Sequence, residues 1–156
     1  MTNLADYIAK QESPNGEDNF MGSGAFSRFQ FMPATAVELA RKTPWGAGAT
    51  PANIKELVLS TPGRDRELFD LYSNRSKGAL TGTGFQPTNA NMLALHRFGQ
   101  GGGLSLLRAP ANMKVADWVN SVNWGSGVAP SEVIRQNRLE QYADVGDLRR
   151  RFIGTA

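Results

Sequence analysis

Cysteine is absent from this 156-residue chain and histidine occurs once. The first absence excludes disulfides, thiolate zinc sites and a cysteine nucleophile. The second excludes a multi-histidine metal centre. No apolar run is long enough to span a bilayer, so no membrane insertion is expected. The N-terminal Met1-Thr-Asn-Leu-Ala-Asp-Tyr has neither a basic leader nor an apolar h-region, which is not how an ordinary secretory precursor begins. Neither sign of charge dominates: 17 Lys and Arg stand against 14 Asp and Glu, a net charge of +3. Such a balance draws anionic partners weakly. The tight basic cluster Arg149-Arg150-Arg151 has no interleaved aromatics for base stacking. It reads as a solvated helix face, and nucleic acid is not an expected partner. The chemistry left to the chain is that of carboxylates, hydroxyls and amides.

What is present is an ordinary globular balance, 40% hydrophobic and 20% charged residues. No internal repeat or low-complexity linker interrupts it, and we expect one domain over residues 1–156. Helical periodicity dominates and predicts a mainly α fold of about seven to nine helices. Leu4, Tyr7 and Ile8 open the first, with Thr2 or Asn3 as N-cap. Pro33 suits a first helical position before Ala34 to Lys42. Thr50-Pro51 and Thr61-Pro62 read as two further starts, threonine capping and proline at the first turn. Another helix runs from about Pro87 to a stop at Gly99. Lys114 to Asn123, Ser131 to Tyr142 and Val145 to Ile153 are amphipathic candidates. Alternating strand patterns are scarce; residues 26–31, with Phe26, Phe29 and Phe31, suit a small strand or an irregular lip.

Glu12 lies four residues after Ile8 and eight after Leu4, so it continues the apolar stripe of the first helix. Ser13-Pro14-Asn15-Gly16 then ends that helix. A carboxyl facing inward beside a cleft is the group that desolvation keeps protonated near neutral pH, as a general acid requires. The alternative at this point is a glutamate fraying into solvent at a helix end.

The surrounding residues favour the first reading. Glu12-Ser13, a polar loop, and then Gln30-Phe31-Met32-Pro33-Ala34-Thr35 resemble the soluble lytic transglycosylases, of the goose-type branch of the lysozyme superfamily. The pattern there is a Glu-Ser pair, then Gly-Leu-Met-Gln, hydrophobic-Met-Pro-x-Thr and a later Ala-Tyr-Asn-x-Gly. Ala94-Leu95-His96-Arg97-Phe98-Gly99-Gln100-Gly101 is similar to the last motif, with His96 where tyrosine usually stands. The likeness covers about residues 1–108. Ser27-Arg28 replaces the usual Gly-Leu, which implies a bulkier, more cationic lip.

The resemblance implies a lysozyme-like fold and one essential carboxyl. Glu12 protonates the bond between N-acetylmuramic acid and N-acetylglucosamine. The substrate acetamido group stabilises C1, and the deprotonated Glu12 then activates the muramoyl 6-hydroxyl to close a 1,6-anhydro ring. No cofactor and no metal are implied. Ser13, Arg28, Phe29, Gln30, Met32, His96 and Gly99 form the implied substrate-binding set. Several have a second reading. Arg28 contacts a peptide-stem carboxylate, or pairs with Glu17 or Asp18. Gln30 bonds the substrate, or satisfies backbone groups. His96 neighbours the catalytic carboxyl, or is a packed helix histidine. Phe29, Phe31 and Met32 suit a core better than a sugar platform, and Gly101 to Gly103 a turn lining the cleft. Glu17 or Asp18 could also serve as the second carboxylate of a hydrolytic muramidase. A third reading is a catalytically weak, wall-binding virion protein of the same fold. The expected partner is the glycan strand of peptidoglycan, in the periplasm or cell wall. The expected carriers are a phage virion, a holin-assisted lytic route or a secretion apparatus.

Overall fold

A computed structural model of the chain describes residues 3–13, 24–125 and 127–153. Among them are eight α-helices: α1 Leu4–Glu12, α2 Pro33–Ala40, α3 Ile54–Leu59, α4 Arg64–Gly82, α5 Asn89–Arg108, α6 Val115–Ser121, α7 Pro130–Gln136 and α8 Val145–Leu148. Short 3-10 turns occupy Pro44–Gly46 and Leu139–Gln141, and a π-helical turn occupies Arg149–Ile153. The protein is mainly α. Its described residues contain one isolated antiparallel bridge, Phe26 to Phe31, so residues 26–31 form a lip and not a strand. The chain divides into two compact units, Met1–Arg75 and Ser76–Ala156, and the division falls within α4.

In the first unit, Asn3 caps α1, its Oδ1 accepting the Asp6 N–H at 2.9 Å. Pro33 opens α2 with Met32 in the cap position. The two Thr-Pro pairs do not start helices. Thr50 and Asn53 exchange side-chain-to-backbone hydrogen bonds of 2.8 and 3.3 Å, closing a turn over Pro51, so α3 begins only at Ile54. Gly63, at φ 92°, delays α4 to Arg64. Side chains buried in this unit include Ile8, Phe26, Phe29, Leu39, Ile54 and Leu68.

The second unit is built on α5, capped by Thr88, whose Oγ1 accepts the Asn91 N–H at 3.2 Å. Gly99 stands at φ 74°, ψ 168°, a conformation open only to glycine, and breaks α5 into two helical halves. The glycine stop read from sequence is therefore a sharp kink. Gly101 to Gly103 do not form a turn; they are helical, in the second half of α5. A Cβ on Gly103 would lie 2.6 Å from the Leu95 Cα, so the missing side chain lets the two halves touch backbone to backbone. Fully buried Trp118 of α6 meets Phe98 and Trp124 edge-on at 5.3 and 5.7 Å between ring centres. The predicted helix from Ser131 to Tyr142 is interrupted by Arg138, at φ 52°. Arg149 is not the solvated cation expected of it. Its Nη1 donates to the carbonyls of Leu106, Leu107 and Ala109 at 3.0–3.1 Å, satisfying the C-terminal end of α5.

Candidate functional site

Glu12 is the last residue of α1 and shares its buried face with Ala5 and Ile8. It is 3% exposed, and Ser13 beside it is 4% exposed. The stripe read from the sequence is therefore real, and the fraying alternative is excluded. Ser13 closes the helix, its N–H donating to the Ala9 carbonyl at 2.8 Å. Burial of a charge is unfavourable, and a helix C-terminus presents the negative end of the macrodipole.

The lip at residues 26–31 is a tight, reversed loop. The N–H and carbonyl of Phe26 pair with those of Phe31 at 3.0 and 2.9 Å. Inside that bridge Ser27 and Gln30 both take left-handed backbone, at φ 64° and 52°. Each such residue without a glycine costs about 1–2 kcal/mol. The loop offsets this internally. Ser27 Oγ accepts the Phe29 N–H at 3.0 Å, and the Ser27 carbonyl accepts the Gln30 N–H at 3.0 Å and its Nε2–H at 2.8 Å. At about 0.5–1.5 kcal/mol for each hydrogen bond, and about 1.5–3 kcal/mol for burying Phe29, the balance favours the loop.

Helix α4 anchors the lip. Its residues Asp65, Phe69 and Tyr72 lie at i, i+4 and i+7, one stripe of the helix. Asp65 pairs with Arg28 at 3.3 Å, and the Arg28 guanidinium covers the Phe29 ring at 4.8 Å from its centre. Phe69 stacks on Phe29 with ring centres 4.5 Å apart. Tyr72, 7% exposed, feels the Glu12 charge. Burial pushes its hydroxyl up to about 12; the Arg75 charge lowers it, and the Glu12 and Glu38 charges raise it. Arg75, one turn further along α4, is ion-paired with Glu38 of α2 at 2.9 Å.

The residues singled out in the sequence fare unevenly. Arg28, Phe29 and Gln30 come together in one loop, and α4 links that loop to the surroundings of Glu12. Phe29 and Phe31 are core, as their type suggests, whereas Met32 is 49% exposed and belongs to the surface. Met32 takes the cap position of α2, in extended backbone ahead of Pro33. Arg28 takes a partner the sequence did not offer, Asp65, which is remote in the chain. Gln30 spends its amide nitrogen on the backbone of its own loop. Glu17 and Asp18 lie outside the described residues. His96 and Gly99 belong to the second unit, where His96 is half-buried in α5 and Gly99 is its kink. Tyr72, Arg75 and Glu38 escaped the sequence reading. In one dimension they are ordinary helix residues, and no motif marks them.

The second unit also bears an open groove of about 300 Å³ lined by Gly101, Ser105, Arg108, Met113, Trp118 and Ser121. Its hydroxyls are engaged locally: Ser105 Oγ accepts the Trp118 Nε1–H at 3.2 Å, and the Ser121 hydroxyl donates to the Trp118 carbonyl at 2.6 Å. Among the described residues no cluster of three or more His, Cys, Asp or Glu could hold a metal ion, and no helix is long and apolar enough to cross a membrane. In comparisons with protein families, curated proteins and solved structures, nothing matches the chain.

Proposed function

We propose that this chain is a peptidoglycan lytic transglycosylase in which Glu12 acts first as acid and then as base. The observation that carries the reading is the burial of Glu12 at the end of α1, on the helix's inward face.

The lip lends support of a different kind. The transglycosylase pattern has glycine where Ser27 stands, and Ser27 adopts the left-handed backbone that glycine favours. The departure from the pattern thus falls where the backbone suits glycine. The Ser27 hydroxyl, bonded to the Phe29 N–H, supports that shape without glycine.

In this reading Glu12 protonates the glycosidic oxygen between N-acetylmuramic acid and N-acetylglucosamine, and the bond from C1 to that oxygen breaks. The neighbouring acetamido carbonyl stabilises C1. The muramoyl 6-hydroxyl then gives its proton to Glu12 and bonds to C1, closing the anhydro ring and regenerating the acid. Exposed Met32 and Arg28 are the parts of the lip open to substrate, while buried Phe29 supports them from beneath. Ser13 and Gln30 hold the local backbone, and His96 and Gly99 take the places of the third motif.

The test is clearing of purified sacculi by the wild type and by Glu12→Gln. The expected loss is about 10²–10⁴-fold, the usual contribution of a general acid. Equal clearing by both proteins, or none by either on several kinds of sacculus, overturns the reading.

A further inference from the structure

The groove of the second unit takes no part in the chemistry assigned to Glu12, and two helices supply its walls. Gly101, Ser105 and Arg108 stand at i, i+4 and i+7, on one face of the second half of α5. Trp118 and Ser121 line it from α6, and Met113 from the connection between the two helices. We propose that this groove binds the free carboxylate end of a short peptide.

Two donors in the groove are open to an anion. Arg108 is exposed, and among the described residues its guanidinium has no hydrogen bond or ion pair. Ser105 Oγ accepts the Trp118 Nε1–H at 3.2 Å, and its own proton has no acceptor among the described residues. Accepting that bond polarises the hydroxyl and strengthens it as a donor. A guanidinium one turn from an O–H suits charge-assisted recognition of a carboxylate. The negative end of α5 would repel an anion, but it is covered. Arg149 donates to the carbonyls of Leu106, Leu107 and Ala109 at 3.0–3.1 Å.

The rest of the lining fits the residue that carries the carboxylate. Ser121 gives its proton to the Trp118 carbonyl at 2.6 Å, so its oxygen remains an acceptor for a peptide N–H. Half-buried Met113 and the Trp118 indole supply an apolar wall for a small side chain. Gly101 leaves the room, since a Cβ there meets nothing within 4 Å. The volume of about 300 Å³ is at the small end of ligand sites and suits a peptide terminus.

The intact chain labelled with ¹⁵N-tryptophan provides the test. It has three tryptophans, so Trp45→Phe and Trp124→Phe assign the Trp118 indole by elimination. Because that N–H is bonded to Ser105, a ligand that takes the Ser105 proton shifts its resonance. N-acetyl-alanyl-alanine is expected to shift it saturably at millimolar concentration, and the C-terminal amide of the same peptide to leave it in place. Arg108→Gln should weaken binding by about tenfold or more, as loss of a hydrogen bond to a charged group does. Gly101→Leu, which fills the groove, should abolish binding while the Trp45 indole stays where it was. The D,D and L,L forms of the peptide separate the sources. Preference for D,D indicates a cell-wall peptide and preference for L,L a protein C-terminus; either supports the site, as does equal binding of both. The proposal is overturned if neither form gives a saturable shift, or if the amide or acetate alone does as well. A response unchanged in Arg108→Gln or in Gly101→Leu overturns it too.

Discussion

Asp147 accepts the Ala143 N–H at 2.9 Å and the Arg151 guanidinium at 3.0 Å. The backbone hydrogen bond first, and then Arg151 and Arg150, hold its carboxyl below the usual aspartate value of 3.8. A lowered folded value stabilises the fold when the group is charged. That contribution is present in full above 3.8 and is lost as pH falls through the lower folded value. Thermal unfolding of Asp147→Asn should therefore give a lower Tm than the parent at pH 7, and the two should converge in strong acid. Tyr72 works in the opposite sense. Its raised value stabilises the fold below the ordinary tyrosine value of 10.0, and the contribution disappears as pH rises through about 12. For this deeply buried phenol the loss amounts to about 2–3 kcal/mol. Alkaline denaturation of Tyr72→Phe should lack that limb.

The second unit is organised by close approaches along α5. Gly99 breaks the helix in a conformation where a side chain costs about 1–3 kcal/mol, and Gly103 brings its second half against the backbone of Leu95. Gly103→Ala would set a methyl group 2.7 Å from the Ala94 carbonyl oxygen, where no flexible side chain can yield. We expect it to destabilise the protein by about 1–3 kcal/mol in urea unfolding. By contrast, Gly101→Ala meets nothing within 4 Å and should leave stability near that of the parent. Helix α4 organises the first unit differently, by a stripe of side chains. Asp65 and Phe69 engage the lip, and Phe69→Ala removes the stacked partner of Phe29. Part of the lip's strain at Ser27 and Gln30 is held by that contact.

For the molecule as a whole, the product of cleavage separates the proposed mechanism from its nearest relative. Mass analysis of sacculi digested by the intact chain should show muropeptides with 1,6-anhydro ends. Reducing ends instead would mean hydrolysis and would direct attention to Glu17 and Asp18. The mainly α fold was legible in the sequence because it rests on local regularities: apolar spacing and the Asn3 and Pro33 starts. Helical periodicity also put Glu12 below Ile8, with a frayed helix end left as the alternative. The starts at Thr50-Pro51 and Thr61-Pro62 were misread by a few residues because a reciprocal Thr50–Asn53 turn and the left-handed Gly63 competed with the cap. Arg149 looked like a surface cation until the open carbonyls at the end of α5 gave it partners some forty residues away. The sequence thus offered Glu12 as an inward carboxyl or a frayed helix end, and its burial decided between them. Tertiary structure decided what stands around it. Tyr72 of α4 comes under the Glu12 charge, and Arg75 pairs with Glu38 of α2, only when those helices fold together, and contacts between remote elements leave no periodicity to read.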